Sequence, residues 1–242
     1  MKAMIFAAGK GTRLKPLTDY TPKALVEING IPLLELVIKK LISSGVNEII
    51  INVHHLADQI INFLKRNNNF GIRIEISDES NHLLDTGGGL KKASWFFDDN
   101  QPFILHNTDI VSNINLNHLI GYHESKKALA TLAIRNRISN RYFLFNDNYE
   151  LCGWKNIKTE KEIITKKSNQ LNEYAFSGIH IINPEIFKYF QSEERFSIIN
   201  TYMDLSKITT ISGYQHNKGY WFDIGTQEKL SEAEDHLNSL KK

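Results

Sequence analysis

An apolar run from Met1 to Ala8 stops abruptly at Gly9-Lys10-Gly11. A run this short, ended by glycine, predicts a buried strand that delivers the chain directly into a tight loop. The loop reads Ala7-Ala8-Gly9-Lys10-Gly11-Thr12-Arg13-Leu14. Its glycines let backbone approach an anion closely, and successive N–H groups can form a concave phosphate cradle. Arg13 adds a planar, permanently charged fork suited to phosphate oxygens. Pro22 fixes the backbone just before Lys23, a second cation on the same loop. Neither of the best-known glycine loops fits. A dinucleotide fingerprint needs a glycine where Leu14 stands, and a Walker loop needs Ser or Thr where Gly11 stands.

The following segments alternate strand and helix. Pro32 opens a helix to about Ser44, with Leu33, Leu36, Val37 and Leu41 on one face and Gly45 as a stop. Glu48 to Val53 predicts a buried strand, Leu56 to Lys65 an amphipathic helix and Ile72 to Ile76 a strand. Gly87-Gly88-Gly89 begins another helix, and Pro102 to Leu105 is a core strand leading to Asp109. This order predicts an α/β fold: a Rossmann-like, mostly parallel sheet with helices on both faces, with ligands at the carboxyl ends of the strands. Beyond it, Leu129–Arg135, Tyr142–Phe145, Leu151–Trp154 and Ala175–Ile182 predict a smaller mixed-strand substrate-binding region. Lys155 to Asn172, polar and lysine-rich, reads as a surface loop, and Thr226 to Leu240 as a closing helix. The expectation is one domain over 1–242, with a nucleotide-binding half at about 1–128, a mixed-strand substrate half at about 129–225 and the closing helix at 226–242.

With 29 Lys and Arg against 27 Asp and Glu, charge is nearly balanced, which argues against nucleic acid or a polybasic membrane anchor as partner. The single cysteine, Cys152, excludes an intramolecular disulfide and a multi-cysteine metal site; a half-buried structural thiol is expected. The apolar start is too short to cross a membrane and lacks a secretory cleavage pattern, so a cytoplasmic location is expected.

Gly9 to Thr18, then Thr21-Pro22-Lys23-Ala24-Leu25, resembles the signature of the sugar-1-phosphate nucleotidyltransferases. The resemblance continues through Asn29 to Leu33, Thr86-Gly87-Gly88-Gly89, Asp109, Phe176-Ser177-Gly178-Ile179 and Trp221 to Thr226. It implies the nucleotide-diphospho-sugar transferase fold and a magnesium-dependent reaction. A sugar 1-phosphate would attack a nucleoside triphosphate, UTP or GTP, releasing pyrophosphate. It also implies catalytic roles for Arg13 and Lys23 and a magnesium ion on Asp109 and Asp223. Nucleotide contacts would fall at Ala8, Gly9, Gly11, Thr12, Arg13, Thr86, Gly87 and Gly88, and substrate contacts at Asn107, Ser177 and Gly178.

Short length and the Thr-Gly-Gly-Gly segment resemble most the compact branch containing the N-acetylmuramate-1-phosphate uridylyltransferases. Guanylyl transfer to mannose or heptose 1-phosphate is the alternative, with Glu79 or Asp85 as acceptor for a guanine amine. A monomer or small homo-oligomer is expected. Two departures stand out. Thr108 occupies a position usually held by glycine, and a β-branched residue does not easily take positive φ. No Glu-Lys-Pro motif supplies a lysine for the sugar phosphate; Lys155 is the nearest substitute. A non-catalytic nucleotide-sugar sensor would also fit this fold, but retention of Arg13, Lys23, Asp109 and Asp223 argues against it. Leu14 disfavours a nicotinamide-dependent oxidoreductase.

Overall fold

The computed structural model describes residues 1–240. The chain divides into two compact units, each assembled from segments distant in sequence: Met1–Leu83, His106–Asn113 and Tyr220 onward form the first, Leu84–Leu105 and Ile114–Gly219 the second. The division differs from the expected halves at 1–128 and 129–225. Apolar patterning shows where an element is buried but not which distant element buries it.

In the first unit, strands Lys2–Phe6, Glu48–Val53 and Arg73–Asp78 are parallel, Lys2 paired with Glu48 and Glu48 with Arg73. Glu48–Val53 is buried at nearly every residue, as befits a strand covered on both faces. Parallel neighbours require crossovers, and helices Leu33–Ser43 and Ala57–Arg66 supply them. Leu33, Leu34, Val37, Ile38 and Leu41 form the buried stripe of the first helix. Gly45 takes φ +88° just past its end, a conformation that glycine adopts without cost. Strand Phe103–Asn107 ends in this unit, and beyond it Ile110–Ser112 forms an antiparallel ribbon with Trp221–Asp223. Helix Gln227–Ser239 follows, its first turn capped by the Thr226 side chain, which accepts from Lys229 N.

The second unit is a mixed sheet. Asn172–Ile182 runs antiparallel to both Ala130–Arg135 and Arg141–Phe145, and Ile211–Gln215 runs parallel to Ala130–Arg135. Leu151–Asn156 pairs with Arg141–Phe145, and Lys161–Ile164 pairs with Leu151–Asn156 in turn. The expected surface loop 155–172 therefore contains a strand. Its side chains are largely exposed, so backbone pairing rather than apolar burial creates it, and no hydrophobic run announces it. Cys152 is fully buried, not half-buried. Among the described residues, no helix is long and apolar enough to cross a membrane.

His106, on the Phe103–Asn107 strand, is fully buried, and its Nδ1 lies 2.8 Å from the Asn107 carbonyl. Burial, reinforced by the nearby Lys40 ammonium, pushes its pKa from 6.5 down to about 3. Between those values the unfolded chain binds a proton that the folded chain refuses, so stability falls as pH falls below 6.5. His106→Asn keeps a donor near Asn107 O but does not titrate. By pH 5 wild type should lose about 2 kcal/mol more than the variant relative to pH 7. Urea unfolding at both pH values checks this; parallel losses would contradict it.

Candidate functional site

The loop after the first strand is shaped by Gly11, at φ +64°. A Cβ there would lie 2.8 Å from Thr18 Cγ2, so both conformation and space call for glycine. The Gly11 carbonyl accepts from Leu14 N and from Thr18 Oγ1, each at 2.8 Å, closing the turn Thr12–Leu14. Leu14 drops into a core with Val26, Ile28, Leu33, Val111, Ile224 and Ala233, while Thr12 and Arg13 stay exposed. Burying such a leucine contributes about 2 kcal/mol toward holding the loop down. Ala8 is buried, and Gly9 is exposed with open space at its Cβ position.

The first unit brings Arg13, Lys23, Asp109 and Asp223 into one neighbourhood. Lys23 Nζ pairs with Asp109 Oδ2 across 86 positions of sequence. Asp223 faces Ile110 across the ribbon, and Ile224 N donates to the Asp109 carbonyl at 2.8 Å, so the two aspartates occupy adjoining positions. A Cβ on Gly225 would lie 2.8 Å from Arg13 Nη2 and 3.2 Å from Asp223 Oδ1; glycine leaves room there for the guanidinium beside the carboxylate. Thr226, not Asp223, caps the closing helix, and Lys229 Nζ approaches Asp223 Oδ2 at 3.9 Å. Lys229 is a site cation that sequence reasoning missed; one helical turn past a Thr cap was its available signal.

Among the described residues, no group of three or more His, Cys, Asp or Glu is placed to hold a metal. The donor chemistry of Asp109 and Asp223 nevertheless suits magnesium: two hard, part-exposed carboxylates, 24% and 32% accessible. Magnesium fills its remaining positions with phosphate oxygens and water.

Asn107 is half-buried, and its carbonyl is engaged by His106. Thr108 does not take positive φ; its backbone N and Oγ1 both donate to the Phe6 carbonyl, at 3.1 and 2.5 Å. Glu79 is 1% exposed and accepts from Asn52 Nδ2 at 2.7 Å. Its carboxylate is turned to Asn52 rather than to solvent.

The remaining expected contacts belong to the second unit. Thr86, Gly87 and Gly88 open helix Asp85–Lys92, and segment 191–198 lies across them. Gly87 N and Gly88 N donate to the Phe196 carbonyl at 2.8 and 3.2 Å, and Thr86 Oγ1 accepts from Ile198 N at 3.0 Å. Lys91 Nζ donates to the carbonyls of Gln191, Ser192 and Glu193. A Cβ on Gly87 would strike the Phe196 ring, and one on Gly88 the Glu194 carbonyl oxygen. The space beside the Cα atoms of Gly87 and Gly88 is taken by Phe196 and Glu194 of the chain itself. Ser177, expected at the sugar, is fully buried, with His216 Nε2 2.7 Å from its Oγ; its side chain faces inward. Gly178 sits at φ +74°. Lys155 pairs with Glu173 and so is not a free grip for phosphate.

Residues 2–239 match the nucleotidyl transferase family. The chain is 31% identical to the N-acetylmuramate alpha-1-phosphate uridylyltransferase of Neisseria meningitidis, covering 97% of each. It is 29% identical to the UTP–glucose-1-phosphate uridylyltransferase of Synechocystis, over 93% of this chain but only 60% of that relative's length. Its fold matches UDP-glucose pyrophosphorylase from Acinetobacter baumanii with a TM-score of 0.78 at 16% identity, over 97% of this chain and 92% of that one.

The packing of segment 191–198 on the glycines makes a testable contrast. Gly88→Ala drives a methyl group into backbone and should destabilise by about 1–3 kcal/mol while making that segment more susceptible to proteolysis. Gly121→Ala, in helix Leu116–Lys126 with no neighbour within 4 Å, should stabilise by up to about 1 kcal/mol. Thermal melts and limited proteolysis measure both; an unperturbed Gly88→Ala would show that the segment does not depend on the glycines.

Proposed function

We propose that this chain, which belongs to the nucleotidyl transferase family, transfers a uridylyl group from UTP to N-acetylmuramate 1-phosphate, releasing pyrophosphate. The observation that carries the reading is the match to the N. meningitidis uridylyltransferase, which spans 97% of this chain and 97% of that relative. The grouping of Arg13, Lys23, Asp109 and Asp223 supports the reaction class. Burial of Glu79 weakens the guanylyl alternative, since that carboxylate was one of its two candidate readers of a guanine amine.

In the reaction, a sugar phosphate oxygen attacks the α-phosphorus of the triphosphate; a new P–O bond forms there as the bond to the pyrophosphate leaving group breaks. The nucleophile is already anionic at neutral pH, so no catalytic base is needed. His106, the histidine nearest Asp109 in sequence, is buried and stays neutral, which agrees with this. Catalysis then rests on positioning and charge neutralisation. Asp109 and Asp223 would hold a magnesium ion, which when bound supplies positive charge to the phosphates. Exposed Arg13 meets the β- and γ-phosphates with its planar fork. Lys23 divides its ammonium between Asp109 and the reacting phosphate, so it orients the carboxylate and offsets charge together.

Pyrophosphate release measured over UTP and GTP, each with several sugar 1-phosphates, tests the assignment. UTP with N-acetylmuramate 1-phosphate should give the highest kcat/KM; a preference of about tenfold for GTP, near 1.4 kcal/mol of transition-state binding, overturns the uridylyl reading. Asp109→Asn and Asp223→Asn should each lower turnover by about a hundredfold or more while nearly preserving shape. Magnesium-dependent turnover at wild-type rates in both variants would remove the carboxylates from the metal role. Arg13→Ala should raise the triphosphate KM more than the sugar phosphate KM, since a bidentate cation is lost from the leaving group.

A further inference from the structure

The peptide unit joining Phe6 to Ala7 is the last fixed point before the phosphate loop, and it is gripped at both ends. Its carbonyl, on Phe6, accepts from Thr108 N at 3.1 Å and from Thr108 Oγ1 at 2.5 Å. Its N–H, on Ala7, donates to Asn52 Oδ1 at 2.8 Å, and Asn52 Nδ2 donates in turn to Glu79 Oε1 at 2.7 Å. Thr108, Asn52 and Glu79 are 4%, 3% and 1% exposed, so these bonds form where water does not compete.

Chemistry leaves this network one arrangement. A backbone N–H only donates and a carboxylate only accepts, so the Asn52 amide must turn its oxygen to Ala7 and its nitrogen to Glu79. A peptide unit is planar, so fixing the directions of its C=O and N–H prevents it from turning about the chain axis. The orientation of that plane sets the direction in which the loop Ala8 to Thr12 leaves the strand. A hydrophobic residue at 108 would leave the Phe6 carbonyl with the backbone donor alone, and a residue unable to accept at 52 would leave Ala7 N–H buried without its partner.

The geometry points to Asn52, Glu79 and Thr108 as positioning residues for triphosphate binding: through one clamped peptide they aim the backbone N–H groups of the phosphate loop. This rests on the nucleotidyl-transfer reading above, and none of the three touches the phosphates in this scheme. It also gives Thr108 a use where the loss of glycine raised doubt.

Thr108→Val keeps the shape and removes the hydroxyl, whereas Thr108→Ser keeps the hydroxyl. Glu79→Gln leaves the Asn52 amide oriented by Ala7 N–H alone, because a glutamine can donate or accept, and Asn52→Ala removes the relay. Dissociation constants for UTP and GTP by calorimetry, KM for both substrates, amide exchange at Ala7 and thermal melts form the readout. Thr108→Val should weaken binding of the preferred triphosphate by about tenfold, Thr108→Ser should restore it to within about threefold, and the sugar phosphate KM should hold. Ala7 exchange should accelerate in Glu79→Gln. If Asn52→Ala does not fold, the Thr108 pair decides. Triphosphate affinity unchanged in Thr108→Val, or both KM values rising together, overturns the clamp. Wild-type protein that binds triphosphate but releases no pyrophosphate with any sugar 1-phosphate overturns the reaction instead and leaves the clamp to be judged on affinity.

Discussion

Leu14 is completely buried among Val26, Ile28, Leu33, Val111, Ile224 and Ala233. Through that contact the phosphate loop, the ribbon behind Asp109, the approach to Asp223 and the closing helix share one apolar core. Where a dinucleotide-binding loop places glycine to admit a helix, this chain places an anchor. The loop is consequently held by hydrophobic burial on its inner side, and its outward residues, Thr12 and Arg13, are left to solvent. Displacing Leu14 would loosen the packing that the loop, the ribbon and the closing helix share.

The charges of the first unit are interleaved rather than segregated. Lys23 lies against Asp109, Lys229 near Asp223, and the Arg13 fork fits beside Asp223 where Gly225 has no side chain. Such pairing lowers the cost of collecting two carboxylates in one place, since like charges in partial burial repel strongly. It also shows how a chain with a net charge of only +2 gathers cations in one place.

Glycine serves different ends in the two units. Gly11 combines positive φ with close packing under Thr18, and Gly225 makes room for a guanidinium. Gly87 and Gly88 instead make room for the chain itself, since Phe196 and Glu194 occupy the space their side chains would need. A glycine-rich segment records that something approaches the backbone. It does not record whether that something is a ligand or another part of the same chain.

Local sequence alone determined much of this protein. The glycine-terminated first strand, the buried strand Glu48–Val53, the Leu33–Ser43 helix and the closing helix all follow from periodicity and stop signals, because the forces behind them act over a few residues. The resemblance singled out Arg13, Lys23, Asp109 and Asp223 because their motifs lie in a recognisable order. What only the tertiary structure decided depends on pairs far apart in the chain. It sent Glu79 inward to Asn52, turned Ser177 toward His216, laid segment 191–198 across the triple glycine and cut the two units across chain order. Thr108 shows the reason most clearly: its side chain alone argues against a glycine position, while its value lies in a carbonyl at Phe6, 102 residues earlier. Hydrogen-bond partners at such separations are chosen by the packing of whole elements, and no local pattern of residues encodes them.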